Sequence, residues 1–186
     1  MRSRLAAILC VMFVLSGCKE SEGSLNRAIA LRNKILSSNG CSFRATVTAD
    51  YGEQIYVFKM DCKTDREGNL TFSVAEPATI AGITGKITGT GGAITFDDKV
   101  LAFQTIADGQ VSPVTAPWLL IKTLRSGYLK DASATEQGFE ISIDDSYAEE
   151  SFQLLVGTEA DVPVFAEIFW KSRRVITITV EDFAIL

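Results

Sequence analysis

Ser42-Phe43-Arg44-Ala45-Thr46-Val47-Thr48-Ala49 alternates polar and apolar residues without a break, and this stretch decides the class of fold. Successive side chains of a strand point to opposite faces, so Phe43, Ala45, Val47 and Ala49 share a dry face while Arg44, Thr46 and Thr48 meet water. A turn at Asp50-Tyr51-Gly52-Glu53 leads into a second strand, Ile55-Tyr56-Val57-Phe58-Lys59-Met60, which returns antiparallel. With Tyr51 and Gly52 as the central turn residues, Phe43 faces Met60, Ala45 faces Phe58, Val47 faces Tyr56, and Cys41 faces Cys62. The cysteine pair then falls at a closely spaced, non-hydrogen-bonded site. A disulfide between Cys41 and Cys62 is therefore expected, worth about 3 kcal/mol as a staple across the open end of the hairpin. Arg44 opposite Lys59 counts against this register, because like charges across a ladder repel.

The two-residue period continues for most of the chain. Leu70, Phe72 and Val74 form a third strand that ends before Pro77. Gly82-Ile83-Thr84-Gly85-Lys86-Ile87 superficially suggests a phosphate loop, but it has two residues between its glycines where four are needed, and an isoleucine after the lysine. Short strands Ile83 to Thr88 and Ala93 to Phe96 around a Gly89 to Gly92 turn are the better reading. Val100 to Phe103 follows, and after a gap come Phe139-Ile141-Ile143, Phe152-Leu154-Val156, Val164 to Trp170, and Ile176-Ile178-Val180 beyond a turn at Lys171-Ser172-Arg173. That makes about ten short antiparallel strands. Asp97-Asp98, Asp144-Asp145 and Glu149-Glu150 sit at strand ends without calcium-loop spacing and are read as solvated turns.

Two helices interrupt the strands. Ser24 serves as N-cap for a helix from about Leu25 to Ser37, with Leu25, Ala28, Ile29, Leu31, Ile35 and Leu36 at helical spacing and Asn39-Gly40 beyond its end. The second runs from Pro117 to Ser126, with proline in its first turn and Gly127 after its last. Its Trp118-Leu119-Leu120-Ile121 segment is apolar nearly all round, as in a helix buried on both sides.

The N-terminus reads as an export leader. Arg2 and Arg4 precede an apolar run from Leu5 to Leu15, and small residues lead to a cysteine. The run is well short of the ~20 residues that span a bilayer. Leu15-Ser16-Gly17-Cys18 resembles the lipobox of bacterial lipoproteins, which implies a diacylglyceryl group on the Cys18 sulfur, cleavage before it, and N-acylation with a chain such as palmitate. Residues 1–17 are thus the leader, 18–23 the lipidated cysteine and tether, and 24–186 a single domain. Two acyl chains hold a protein stably at a membrane. The expected location is the bacterial cell membrane, on its extracytoplasmic side.

Composition narrows the chemistry. The leader carries two of the 18 basic residues, leaving 16 against 23 acidic ones, a net charge of −7 that argues against nucleic acid as partner. There is no histidine, so no Ser-His-Asp or Cys-His system exists and zinc has no imidazole ligand. No cofactor motif, metal cluster or nucleophile elbow stands out, and a non-catalytic role is expected.

The layout of helix, meander, one apolar mid-chain helix and second meander behind a lipobox resembles the LolA/LolB lipoprotein-localisation family. The likeness covers roughly Ser24 to Leu186 and includes Ala116-Pro117-Trp118-Leu119-Leu120 and Arg174-Val175-Ile176-Thr177-Ile178-Thr179-Val180-Glu181-Asp182-Phe183. It implies a mostly β (α+β) fold, in which a strongly curved antiparallel sheet forms an unclosed barrel covered by two helices. Phe43, Phe58, Phe72, Trp118, Leu120, Phe152, Ile168 and Trp170 would line a cavity for acyl chains of lipids or lipoproteins, or else meet one another as core. The alternative is a protein-interaction lipoprotein that scaffolds a cell-envelope or spore cell-wall enzyme through an outer face or edge strand.

Overall fold

The computed structural model describes residues 17–96, 99–103, 106–107, 110–148 and 151–186. Asp97, Asp98, Glu149 and Glu150 lie outside the described residues. Strands β1 (Cys41–Asp50), β2 (Ile55–Thr64), β3 (Leu70–Glu76), β4 (Thr84–Thr88), β5 (Gly91–Phe96) and β6 (Lys99–Phe103) form a first meander. Strands β9 (Tyr128–Ala134), β10 (Gly138–Asp144), β11 (Gln153–Glu159), β12 (Val162–Trp170) and β13 (Arg173–Ile185) form a second, and β7 (Ile106–Ala107) with β8 (Gln110–Val111) is a small separate ribbon. Antiparallel pairing of β1 with β13 fuses the meanders into one eleven-stranded sheet, ordered β6-β5-β4-β3-β2-β1-β13-β12-β11-β10-β9. Its edges, β6 and β9, do not pair with each other. The unclosed, helix-covered half-barrel implied by the LolA/LolB resemblance is the architecture of this chain.

Helix α1 (Gly17–Ser37) lies across β9, and helix α2 (Ala116–Ser126) is enclosed by the sheet and touches β1, β10 and β13. The all-round apolar character of α2 is matched by burial of Ala116, Pro117, Trp118, Leu119, Leu120, Ile121, Thr123 and Leu124. In α1 only Ala28, Leu31 and Ile35 enter the core, whereas Leu25, Ile29 and Leu36 face solvent. The apolar stripe is thus half as wide as its spacing suggests. α1 also starts eight residues before Leu25, so Ser24 is a buried residue within the helix and not its cap. Every buried residue among those described lies between Ser24 and Val180, so a chain beginning at Lys19 retains the whole described core.

The hairpin register differs from expectation by two residues. Asp50 pairs with Ile55, so the loop holds four residues, and Phe43 faces Cys62, Ala45 faces Met60 and Val47 faces Phe58. A two-residue shift leaves every side chain on its predicted face, because the strand period is two. It also places Arg44 opposite Asp61, where Arg44 Nε donates to Asp61 Oδ1 at 2.9 Å, and so removes the Arg44–Lys59 repulsion. The expected Cys41–Cys62 bond is corrected by the same shift: both are buried free thiols. Cys41 N donates to Thr64 Oγ1 at 2.8 Å, which makes Cys62 a diagonal neighbour. Diagonal Cα atoms are ~7–8 Å apart, beyond the ~7 Å a disulfide spans without backbone movement.

The segment around Gly85 is the hairpin β4–β5, not a phosphate loop. A Cβ on Gly85 would come within 2.5 Å of the Phe72 ring, so the glycine is there to let that ring cover the strand. β9 has no counterpart in the sequence reading. Its inward-facing residues are Leu129, Ala132 and Ala134, two of them small where α1 packs over the strand.

Two polar devices hold α2 in place. Arg32 of α1 donates from Nε to Leu124 O (2.8 Å) and from Nη2 to Gly127 O (2.8 Å), serving the orphan carbonyls at the C-terminus of α2. Lys122 Nζ donates to Asp145 Oδ2 at 2.9 Å, and Asp145 Oδ1 accepts the Phe152 N–H at 2.7 Å. Asp145 is therefore a buried anchor for the helix, and its reading as a solvated turn is corrected.

Candidate functional site: an apolar cavity at the rim of the half-barrel

On the helix-facing side of the sheet, Phe152, Leu154 and Val156 of the β11 segment share a face with Ala166, Ile168 and Trp170 of β12, as strand parity requires. Of these, Leu154, Val156, Ala166 and Ile168 are fully buried in the core. At one end, where the β1–β2 and β12–β13 turns come together, a cavity of about 420 Å³ remains. It is lined by Tyr51, Val111, Phe152, Trp170 and Val175 together with the charged Asp50 and Arg173. The volume falls within the ~300–1,000 Å³ usual for small-ligand pockets.

Local chemistry shapes this cavity. The Phe152 and Trp170 rings lie 4.7 Å apart, tilted by 39°, and form one wall. Lys171 and Ser172 both have positive φ (49° and 64°), so the β12–β13 turn is the tight two-residue kind that matches strand twist. This turn sets Trp170 at the last position of its strand, with Lys171 Nζ 5.6 Å from the ring centroid. A register shift between Ile168 and Phe169 leaves Val175 as an extra residue on β13. Opposite, the Tyr51 hydroxyl donates to Val111 O at 3.1 Å, tying the β1–β2 loop to β8. Burial pushes the Tyr51 phenol up from its ordinary pKa, with Tyr56 adding to the shift, so the tyrosine stays neutral and a donor. The Gly52 amide donates to Asp50 Oδ1 at 2.8 Å, and Gly52 itself has φ +89°, a conformation that glycine adopts without steric cost.

Of the eight residues expected to line a cavity, the structure brings two together here, Phe152 and Trp170. Phe43, Phe58, Leu120 and Ile168 are packed in the core. Phe72 is core as well and covers Gly85. Trp118, though largely buried, borders a separate depression of about 320 Å³ with Leu36 and Arg125. The helix is the reason: it occupies the middle of the concave face, where the sequence alone leaves open whether aromatic residues meet a ligand or each other. Asp50, Tyr51, Val111, Arg173 and Val175 join the cavity unpredicted. Three of them sit in what reads as plain turn sequence, and the bulge that exposes Val175 has no signature in the chain.

Elsewhere, apolar side chains reach solvent on the first meander. Val100 and Leu101 of β6 are 68% and 67% exposed, on opposite faces of an edge strand that pairs on one side only, with β5. Among the described residues, no group of three or more His, Cys, Asp or Glu side chains could hold a metal ion.

No protein-family profile matches the sequence, and no curated protein matches it. Solved structures do. A structure of an uncharacterized conserved protein from Thermus thermophilus is similar over 88% of each chain, with 13% identity and a TM-score of 0.48. One of an outer membrane lipoprotein-sorting protein domain from Vibrio parahaemolyticus is similar over 88% of this chain and 92% of that one, with 8% identity and a TM-score of 0.48. A LolA superfamily protein from Nitrosomonas europaea aligns over 86% and 93%, with 10% identity and a TM-score of 0.44.

Proposed function

We propose that this chain is a bacterial envelope lipoprotein, anchored through lipid on Cys18, whose half-barrel binds an acyl chain without covalent chemistry. The observation that supports the reading is the cavity of about 420 Å³ lined by Phe152, Trp170, Tyr51, Val111 and Val175, with Asp50 and Arg173 as its charged members. Affinity would come from apolar area removed from water, at roughly 25 cal/mol per Å².

Native mass spectrometry of the chain from Lys19 onward, made in an exporting host and compared with the denatured protein, tests the binding. Extra mass of fatty-acid or phospholipid size that is lost on denaturation, and lost in Trp170→Glu, is the expected result. A bare mass after incubation with lipid extract would refute it. Incorporation of a clickable palmitate analogue into the full chain, abolished by Cys18→Ala, tests the anchor.

One observation favours a second reading, the protein-interaction lipoprotein. The free β6 edge, with Val100 and Leu101 exposed, has the form that strand addition by an envelope partner uses. A stoichiometric partner cross-linked through β6, with no lipid in the native spectrum, would decide for it.

A further inference from the structure

The chain is acidic, yet three of the four residues in Lys171-Ser172-Arg173-Arg174, the stretch that brings Arg173 into the cavity lining, are basic. Their situations differ. Arg174 is engaged on the outer face of the sheet by Glu167. Lys171 lies over the Trp170 ring. Arg173 is exposed, borders the cavity and makes no ion pair among the described residues. Its Nη2 lies beside Gly52, 3.5 Å from where a Cβ would stand, so the guanidinium rests against the β1–β2 turn at the border of the cavity. The one carboxylate of the lining, Asp50, already accepts the Gly52 amide through Oδ1.

We propose that the cavity takes an anionic amphiphile, its tail against Phe152 and Trp170 and its carboxylate or phosphate head on the Arg173 guanidinium. This rests on the acyl-binding reading above and adds to it the charge of the ligand's head. A guanidinium offers paired N–H donors that match the oxygens of a carboxylate or phosphate, and it bears the charge at any working pH. An apolar wall with such a fork at its edge discriminates between tails of equal length by their heads. Asp50, the opposing charge, would weaken the preference without inverting it.

The chain from Lys19 onward carrying Trp118→Phe has Trp170 as its only tryptophan, and Trp170 emission then reads occupancy directly. Dodecanoate, dodecyl phosphate, dodecanol and dodecylammonium are titrated below their micellar concentrations. Both anions should bind about threefold to tenfold tighter than dodecanol, between the worth of an exposed ion pair and that of a charge-assisted hydrogen bond. Dodecylammonium should bind weakest. Arg173→Gln should bring the anions level with dodecanol and leave dodecanol unchanged, and Asp50→Asn should tighten the anions further. Dodecanoate against dodecyl phosphate then separates a fatty acid from a phospholipid as the natural source. Equal binding of anions and dodecanol, or an anion preference that survives Arg173→Gln, would overturn the inference while leaving the acyl site standing. A preference for dodecylammonium would overturn it in favour of Asp50. Failure of all four probes would remove the acyl site itself. Should Trp118→Phe not fold, calorimetric titration of the parent chain gives the same affinities.

Discussion

Arg32→Ala should destabilise the domain by about 2–3 kcal/mol. The arginine supplies two 2.8 Å hydrogen bonds to Leu124 O and Gly127 O and a longer one of 3.5 Å to Thr123 O, all at the C-terminal end of α2. Hydrogen bonds to a charged group contribute ~1.5–3 kcal/mol, and a cation at a partly buried helix C-terminus up to ~2 kcal/mol. These contributions overlap, since the same nitrogens serve both. Part is returned on removal, because burial disfavours the charged guanidinium and lowers its pKa, an effect the Tyr147 phenol only partly offsets. Arg32→Lys keeps the charge but not the fork, so it should recover about half of the loss. Urea denaturation of the chain from Lys19, followed by circular dichroism and tryptophan emission, measures these differences, and at this chain length each kcal/mol corresponds to roughly 2–4 °C in Tm. A change below ~0.5 kcal/mol in Arg32→Ala, or a lysine variant as stable as the parent, would refute the idea that this guanidinium caps the helix covering the concave face.

Gly40→Ala should cost about 3 kcal/mol or more, measured by the same unfolding curves, because Gly40 has φ +133° and an added Cβ would stand 2.0 Å from Thr64 O, a backbone atom that cannot swing away. Burial pushes both the Cys41 and Cys62 thiols up, so neither should be alkylated by iodoacetamide in the native protein at pH 8. Both should react on denaturation without reductant, and a denatured mass two hydrogens light with no adducts would restore the disulfide and refute the register.

The hairpin shows how far sequence pattern reaches. Alternation in Ser42–Ala49 assigned Phe43, Ala45 and Val47 to the buried face, and they are buried in a register two residues away from the expected one. Faces follow from strand geometry, which is local. Register followed from the loop, and the loop takes four residues, with Tyr51 N donating to Gln54 O at 3.1 Å. The charge pattern held the better clue, since only the observed register sets Arg44 against Asp61. Turn residues likewise predicted the β4–β5 hairpin, and proline and glycine bracketed α2 to within a residue. β9 escaped because Ala132 and Ala134 show no apolar contrast with the residues around them.

What the chain by itself determined, then, is a β-rich domain with one apolar helix between its two meanders, and which side chains of each strand face inward. These are matters of composition and period, readable over a few residues. Tertiary structure alone decided which inward-facing aromatic residues became core and which a cavity wall. Phe43, Phe58, Phe72, Phe152 and Trp170 carry the same local signal, and only the last two line this cavity. Whether a buried apolar side chain meets protein or empty space depends on how two meanders joined at β1 and β13 curve around a helix distant in sequence from most of them. That packing arises only when the whole sheet is assembled.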